Sequence, residues 1–161
     1  MIAPAPGLTS TEQAEAEAIG RTIAEALDVT GMLAVEMFEV GGRLLINELA
    51  MRPHNSGHWS IEGAVTSQFE QHLRAVLDWS LGDTAALAPV TVMANVLGGS
   101  RAVLESAWPE VTDPGAKVHL YGKGVRPGRK VGHVTVMGTQ VDDVRRRAAR
   151  VAAMIRDGEQ L

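Results

Sequence analysis

Residues 31–58 read GMLAVEMFEVGGRLLINELAMRPHNSGH, and this stretch decides the fold. Two apolar-rich runs, Leu33 to Val40 and Arg43 to Leu49, flank Gly41-Gly42. Such runs around a Gly-Gly pair predict a β-hairpin with a two-residue turn. Each predicted strand carries a carboxylate within its run: Glu36 on the first and Glu48, beside Asn47, on the second. A carboxylate in apolar surroundings is unfavourable unless something compensates it. Two facing carboxylates also repel, and a shared divalent cation relieves both problems. Oxygen-only ligands suit Mg2+. The other reading is a pair of solvated side chains, with Glu36 on a half-exposed strand and Glu48 ending its own. Register separates the two. A plain two-residue loop pairs Glu36 with Asn47 and turns Glu48 to the opposite face. Bringing both carboxylates to one ion requires a bulge or break near Glu48.

Working outward, the loop Ala50 to Trp59 crowds Arg52, His54, Asn55, Ser56 and His58 around Pro53 and Gly57. Arg52 offers a planar fork for carboxylate or phosphate oxygens. His54 exchanges a proton near neutral pH. Two histidines four apart, with no cysteine and no third histidine nearby, make a weak case for zinc. Upstream, Thr9 or Ser10 caps a helix, with Glu12 or Gln13 placed for a capping box. Its apolar stripe is Ala16, Ile19, Ile23 and Leu27. Downstream, Thr66 to Leu77 predicts a second helix. Phe69, Leu73 and Val76 are expected to point inward, and Gln71 and His72 to lie on the surface. Leu81 to Leu87 is a connector ending near Pro89, so the expected domains are residues 1–88 and 89–161.

The second domain begins with a strand over Val90 to Leu97, ended by Gly98-Gly99. A short helix over Ser100 to Ser106 and a strand over Lys117 to Tyr121 follow. The loop GKGVRPGRK (122–130) combines glycine with Lys123, Arg126, Arg129 and Lys130. Backbone N–H groups freed by glycine, together with cations, make a monophosphate receptor; a solvated basic turn is the other reading. Val131 to Met137 returns as a strand. Thr139 and Asp142 predict a capping box for a helix with the stripe Val141, Val144, Ala148, Val151 and Ile155. Its other side, Arg145, Arg146, Arg147 and Arg150, reads as a solvated basic face. The expected class is α+β: helix, antiparallel hairpin and helix, then a small mostly β domain with a terminal helix.

At 161 residues the chain is long enough to bury a core, and its 45% hydrophobic and 21% charged content is that of a globular protein. It has no cysteine, hence neither disulfide nor thiol chemistry. No apolar run approaches the roughly 20 residues of a membrane span. The start, MIAPAPGLTS, lacks a basic region followed by an apolar one, so a cytoplasmic location is expected. Charge is unevenly spread. Residues 1–50 hold eight acidic and two basic side chains, whereas 117–150 hold nine Lys or Arg against two Asp. Nucleic acid is a poor match for the basic half, because Tyr121 alone is available there to stack bases.

The stretch NELAMRPHNSGHW (47–59) resembles the NE-x-A-x-RPHNSGH signature of carboxyaminoimidazole ribonucleotide synthetases, ATP-grasp enzymes of purine biosynthesis. TSQFEQHLRA (66–75) and HLYGKGVRPGRKVGH (119–133) resemble the same family in the same order. The likeness runs from about Ile2 to the last helix. Met51 departs from it by standing where members usually have proline. The resemblance implies an enzyme that uses ATP and Mg2+ to phosphorylate bicarbonate, the carboxyphosphate then carboxylating the amine of aminoimidazole ribonucleotide. By the same resemblance Glu36 and Glu48 ligate the metal, and Asn47 and Glu48 face the nucleotide phosphates. Arg52 holds the bicarbonate-derived anion and His54 moves a proton. Asn55, Ser56, Lys123, Arg129 and Lys130 bind substrate, the last three through its 5′-phosphate. No glycine-rich loop leads into a helix that covers a triphosphate, and no strand-borne lysine precedes the hairpin. The chain is therefore expected to be the C-terminal portion, inactive alone, with the N-terminal part of the same enzyme and a second copy as its partners. A non-catalytic phosphate-ligand or assembly module, or half of a split enzyme, is the alternative.

Overall fold

The computed structural model describes residues 1–158. The chain divides into two compact units, one of Ala5–Ala86 and one of Met1–Pro4 with Leu87–Leu161. The first four residues thus join the later unit, unlike the expected 1–88 span. Their strand β1 (Ile2–Ala3) pairs antiparallel with β4 (Val90–Leu97), Ile2 opposite Val92 and Ala3 opposite Thr91.

In the Ala5–Ala86 unit, helix α1 spans Ser10–Ala26. Thr9 caps it: Glu12 N–H donates to Thr9 Oγ1 at 3.2 Å, and the Glu12 carboxylate accepts from Thr9 N–H at 2.8 Å. That N–H is the main reason the Glu12 carboxyl is held below its ordinary pKa. Ala16, Ile19 and Ile23 are half-buried, whereas Leu27 is exposed. Strands β2 (Ala34–Val40) and β3 (Arg43–Ala50) form the hairpin. Gly41 (φ 58°) and Gly42 (φ 76°) both adopt the left-handed region, as a type I′ turn requires. A 3₁₀ turn over Asn55–Gly57, a short helix α2 (Ser60–Gly63) and helix α3 (Gln68–Val76, capped by Ser67) complete the unit.

Helix α3 presents the opposite side from the one expected. Phe69, Leu73 and Val76 are exposed, while Gln68 and Gln71 are buried. The inward glutamines satisfy loop backbone that would otherwise be buried without partners. Gln71 Nε2 donates to Gly82 O at 2.7 Å and its Oε1 accepts from Gly82 N–H at 2.9 Å. His72, also expected on the surface, is half-buried and accepts from Met32 N–H through Nδ1 at 3.1 Å.

The other unit is an antiparallel sheet in the order β1-β4-β6-β5, with β5 Lys117–Leu120 and β6 Lys130–Gly138. Helix α4 (Val141–Asp157) lays Val144, Ala148, Val151 and Ile155 into the core with Val92, Val96, Val134 and Val136. The stripe expected of this helix is present. Its capping box is not: Gln140 is the N-cap without a side-chain bond, and Asp142 and Asp143 supply negative charge to the first turn instead. The helix expected over Ser100–Ser106 also moves. A 3₁₀ segment spans Leu104–Glu110, and Ser100 is drawn away because its N–H and hydroxyl both donate to Asp157 Oδ1, at 3.0 and 3.1 Å. No helix among the described residues is long and apolar enough to cross a membrane.

Candidate functional site

The hairpin register carries the site. The turn pairs Val40 with Arg43, and the ladder runs regularly to Met37 opposite Ile46. Between Met37 and Glu36 the register then shifts, so that Glu36 lies opposite Glu48 and Asn47 is the extra residue of a β-bulge. The bulge returns Glu48 to the face of Glu36, which a regular ladder forbids. Asn47 Nδ2 donates to Glu36 Oε2 at 3.3 Å.

The loop after β3 adds an imidazole. His54 Nε2 lies 3.7 Å from Glu36 Oε1 and 3.7 Å from Glu48 Oε1. One ligand atom from each of these three side chains falls within 4.8 Å of the others, a group able to hold a metal ion. The imidazole side chain is 12% exposed while the carboxylates are 40% and 57% exposed, so the carboxylates are open to an incoming ligand. Ser56 N–H donates to His54 Nδ1 at 3.3 Å, with Ser56 Oγ 2.9 Å from the same nitrogen. Since Nδ1 accepts, the proton of the neutral ring sits on Nε2 and points at the carboxylates. Two hard carboxylates on one open face suit a cation such as Mg2+, and in this tautomer His54 stands beside them as a proton-bearing neighbour.

Of the other expected residues, Arg52 is exposed and donates through Nη1 to Pro53 O at 3.1 Å, and Asn55 and Ser56 are half-buried in the same loop. Lys123, Arg129 and Lys130 belong to the other unit. Gly122 (φ 63°) and Gly128 (φ 73°) bend the loop that carries Lys123 and leads through Arg129 into Lys130, the first residue of β6. It is pinned to Gly98, which bridges Pro127 and whose N–H donates to Arg129 O at 2.8 Å. Arg129 Nη1 donates to Gly124 O at 3.3 Å, and Lys123 Nζ lies 5.1 Å from the centroid of Tyr121. The Tyr121 hydroxyl is 2.7 Å from His133 Nδ1, and burial raises its pKa. His133 in turn stacks on His119, centroids 4.5 Å apart. Residue types and spacing carried little sign of this Tyr–His–His cluster. The two-residue spacing of His119 in β5 and Tyr121 just beyond it, with His119 opposite His133, was its one trace. Gln68 was likewise missed, although its three-residue spacing from Gln71 places both on one helix face.

Comparison with known proteins gives the class first. The model of the ATP-grasp domain matches residues 1–69, and that of the phosphoribosylaminoimidazole carboxylase C-terminal domain matches residues 91–147. The unit bearing the bulged hairpin is thus of the ATP-grasp class. N5-carboxyaminoimidazole ribonucleotide synthase of Mycobacterium tuberculosis is 52% identical over 98% of this chain and 38% of its own length. The same enzyme of Corynebacterium ammoniagenes is 55% identical over 94% of this chain and 39% of its own. Among solved structures, the Thermus thermophilus N5-carboxyaminoimidazole ribonucleotide synthetase matches with a TM-score of 0.81 at 48% identity, covering 94% of this chain and 41% of that one. The Aspergillus clavatus N5-carboxyaminoimidazole synthase, in complex with ADP and 5-aminoimidazole ribonucleotide, matches with a TM-score of 0.85 at 33% identity, covering 96% and 43%. This chain belongs to the carboxyaminoimidazole ribonucleotide synthetase family. It spans about two fifths of the length of the curated relatives it matches.

Proposed function

We propose that the chain supplies the metal-binding and substrate-phosphate-binding parts of an enzyme that carboxylates 5-aminoimidazole ribonucleotide with bicarbonate, using ATP and releasing ADP and phosphate. The reading is supported above all by the bulge at Asn47, which sets Glu36 opposite Glu48 with His54 3.7 Å from both. Glu36 and Glu48 hold the cation, and Asn47 orients Glu36. A divalent cation there neutralises charge developing on the phosphoryl oxygens. Arg52 pairs with the bicarbonate-derived anion through its guanidinium fork. His54 Nε2 carries the proton exchanged with the reacting groups. Asn55 and Ser56 hold substrate, Ser56 also fixing the His54 ring. Lys123, Arg129 and Lys130 bind the nucleotide 5′-phosphate from a loop that glycines bend and Gly98 anchors. The working enzyme is a cytoplasmic homodimer that also contains an N-terminal part, corresponding to the length of the relatives beyond the two fifths spanned here.

The test is ADP release dependent on aminoimidazole ribonucleotide, in the presence of Mg2+, ATP and bicarbonate. The chain alone is expected to release none. Addition of the remaining part of a related synthase restores release, and Glu48→Gln in this chain abolishes it again. Undiminished release with Glu48→Gln overturns the metal assignment. Release by the chain alone overturns the partial-enzyme reading.

A further inference from the structure

Gln68 is 5% exposed and every polar atom of its side chain is engaged. Its Oε1 accepts from His54 N–H at 2.9 Å, while its Nε2 donates to His54 O at 2.8 Å. One amide therefore clasps the two peptide groups that flank a single Cα. Nε2 also lies 2.9 Å from His58 Nδ1. Because Oε1 is the acceptor for His54 N–H, this nitrogen is the donor to both, and the amide orientation is set. The clasp is held from behind: Gln68 N–H donates to Ser60 Oγ at 2.9 Å, and that hydroxyl donates to Gly57 O at 2.6 Å. Gly57 is required in the same construction, since any Cβ there would overlap the Gln68 amide.

We infer that Gln68 is a positioning residue, whose clasp on the His54 backbone sets the His54 imidazole in one tautomer against Glu36 and Glu48. The inference rests on the proposed role of those three side chains. Its logic is one of division. Gln68 fixes the backbone of His54 at φ −122° and ψ 153°, and Ser56 then fixes the ring through Nδ1. With both in place Nε2 has one position, 3.7 Å from each carboxylate. Without the clasp the loop retains Ser56 but loses the frame that aims it. Preorganisation of this kind governs how well a site performs, because small displacements of a reacting group lower rate steeply.

Gln71 is the built-in control. It lies three residues away on the same helix, is also buried, and clasps Gly82 instead of His54. The experiment records imidazole nitrogen shifts of His54 by NMR in the metal-free chain, for Gln68→Met and Gln71→Met, with thermal unfolding beside them. Met keeps volume and removes the hydrogen bonds. The expected result is that Gln68→Met replaces the single Nε2–H tautomer by averaged signals, while Gln71→Met leaves it in place. Equal behaviour of the two variants, whether both retain the tautomer or both lose it, overturns the inference. If Gln68→Met does not fold, Gln68→Glu, which keeps the acceptor and removes the donor, is read by the same two outcomes. Mn2+ titration of Glu48→Gln reports separately on the cation site. An unchanged affinity there removes the carboxylate assignment and leaves the tautomer result standing.

Discussion

Asp113 and Arg147 illustrate how single residues hold the second unit together. Arg147 Nε and Nη2 donate to Asp113 Oδ2 and Oδ1 at 2.7 and 2.9 Å, and Gly115 N–H donates to Oδ1 at 2.9 Å. The Arg147 bond is the main reason the Asp113 carboxyl is held below its ordinary 3.8, and the same pair raises the Arg147 pKa. The native carboxyl thus ionises at lower pH than that of the unfolded chain. Its stabilisation is complete above the unfolded value and disappears as pH falls through the native one. Asp113→Asn is expected to lower stability by about 2 kcal/mol at pH 7, the scale of hydrogen bonds to charged groups. Urea unfolding at pH 7 and at pH 3 checks this: the difference between variant and parent shrinks at the lower pH. At the same scale, the His54 Nε2 proton is assigned by the Ser56 N–H that donates to Nδ1, and no spacing rule contains that information.

Helix α3 shows what an element's pattern leaves open. Phe69, Leu73 and Val76 do share a face, as their spacing says, but that face is exposed and the glutamines point inward. Periodicity reports which residues lie together; which side is buried depends on what the neighbouring segments need. Here the chain around His54 and Gly82 needs donors and acceptors, and two amides supply them. The expected result is that Leu73→Ser changes unfolding free energy by less than about 0.5 kcal/mol, as for other exposed positions. Gln71→Ala, which leaves Gly82 without its partner, lowers it by about 2 kcal/mol. Denaturant titration of both variants decides between this orientation and the reverse. The hairpin taught the opposite lesson. Its Gly-Gly turn and strand lengths were legible, and the need for a bulge was stated by the demand that Glu36 and Glu48 meet. The position of the bulge, at Asn47, was not.

For the whole molecule, the division into units is not sequential. Met1–Pro4 joins Leu87–Leu161 because Ile2 and Ala3 extend the edge of the sheet, and Met93 N–H donates to Met1 O at 2.9 Å. Removing residues 1–4 is expected to speed hydrogen exchange of the Met93 amide about fivefold, the equivalent of one lost hydrogen bond of about 1 kcal/mol. Protection within Ala5–Ala86 is expected to stay unchanged. Exchange followed by NMR in the two proteins checks both statements. The uneven charge follows the same division. The carboxylates of the proposed cation site belong to one unit, and Lys123, Arg129 and Lys130 of the proposed phosphate site to the other.

By itself the sequence determined the hairpin, a capped start to α1 at Thr9 or Ser10, the α4 stripe and the family, since each rests on local pattern: paired glycines, a hydroxyl about three residues before a carboxylate or amide, apolar spacing near 3.6, and a run of polar loop residues in fixed order. Only the tertiary structure decided the register at Glu36, the inward side of α3, the loss of the Ser100–Ser106 helix to Asp157, and the clasp of Gln68 on His54. The inward side of α3 and the clasp on His54 are settled by which buried backbone group would otherwise go unpaired, whereas the Asp157 bonds to Ser100 and the pairing of Glu36 with Glu48 depend on where the fold brings two segments together.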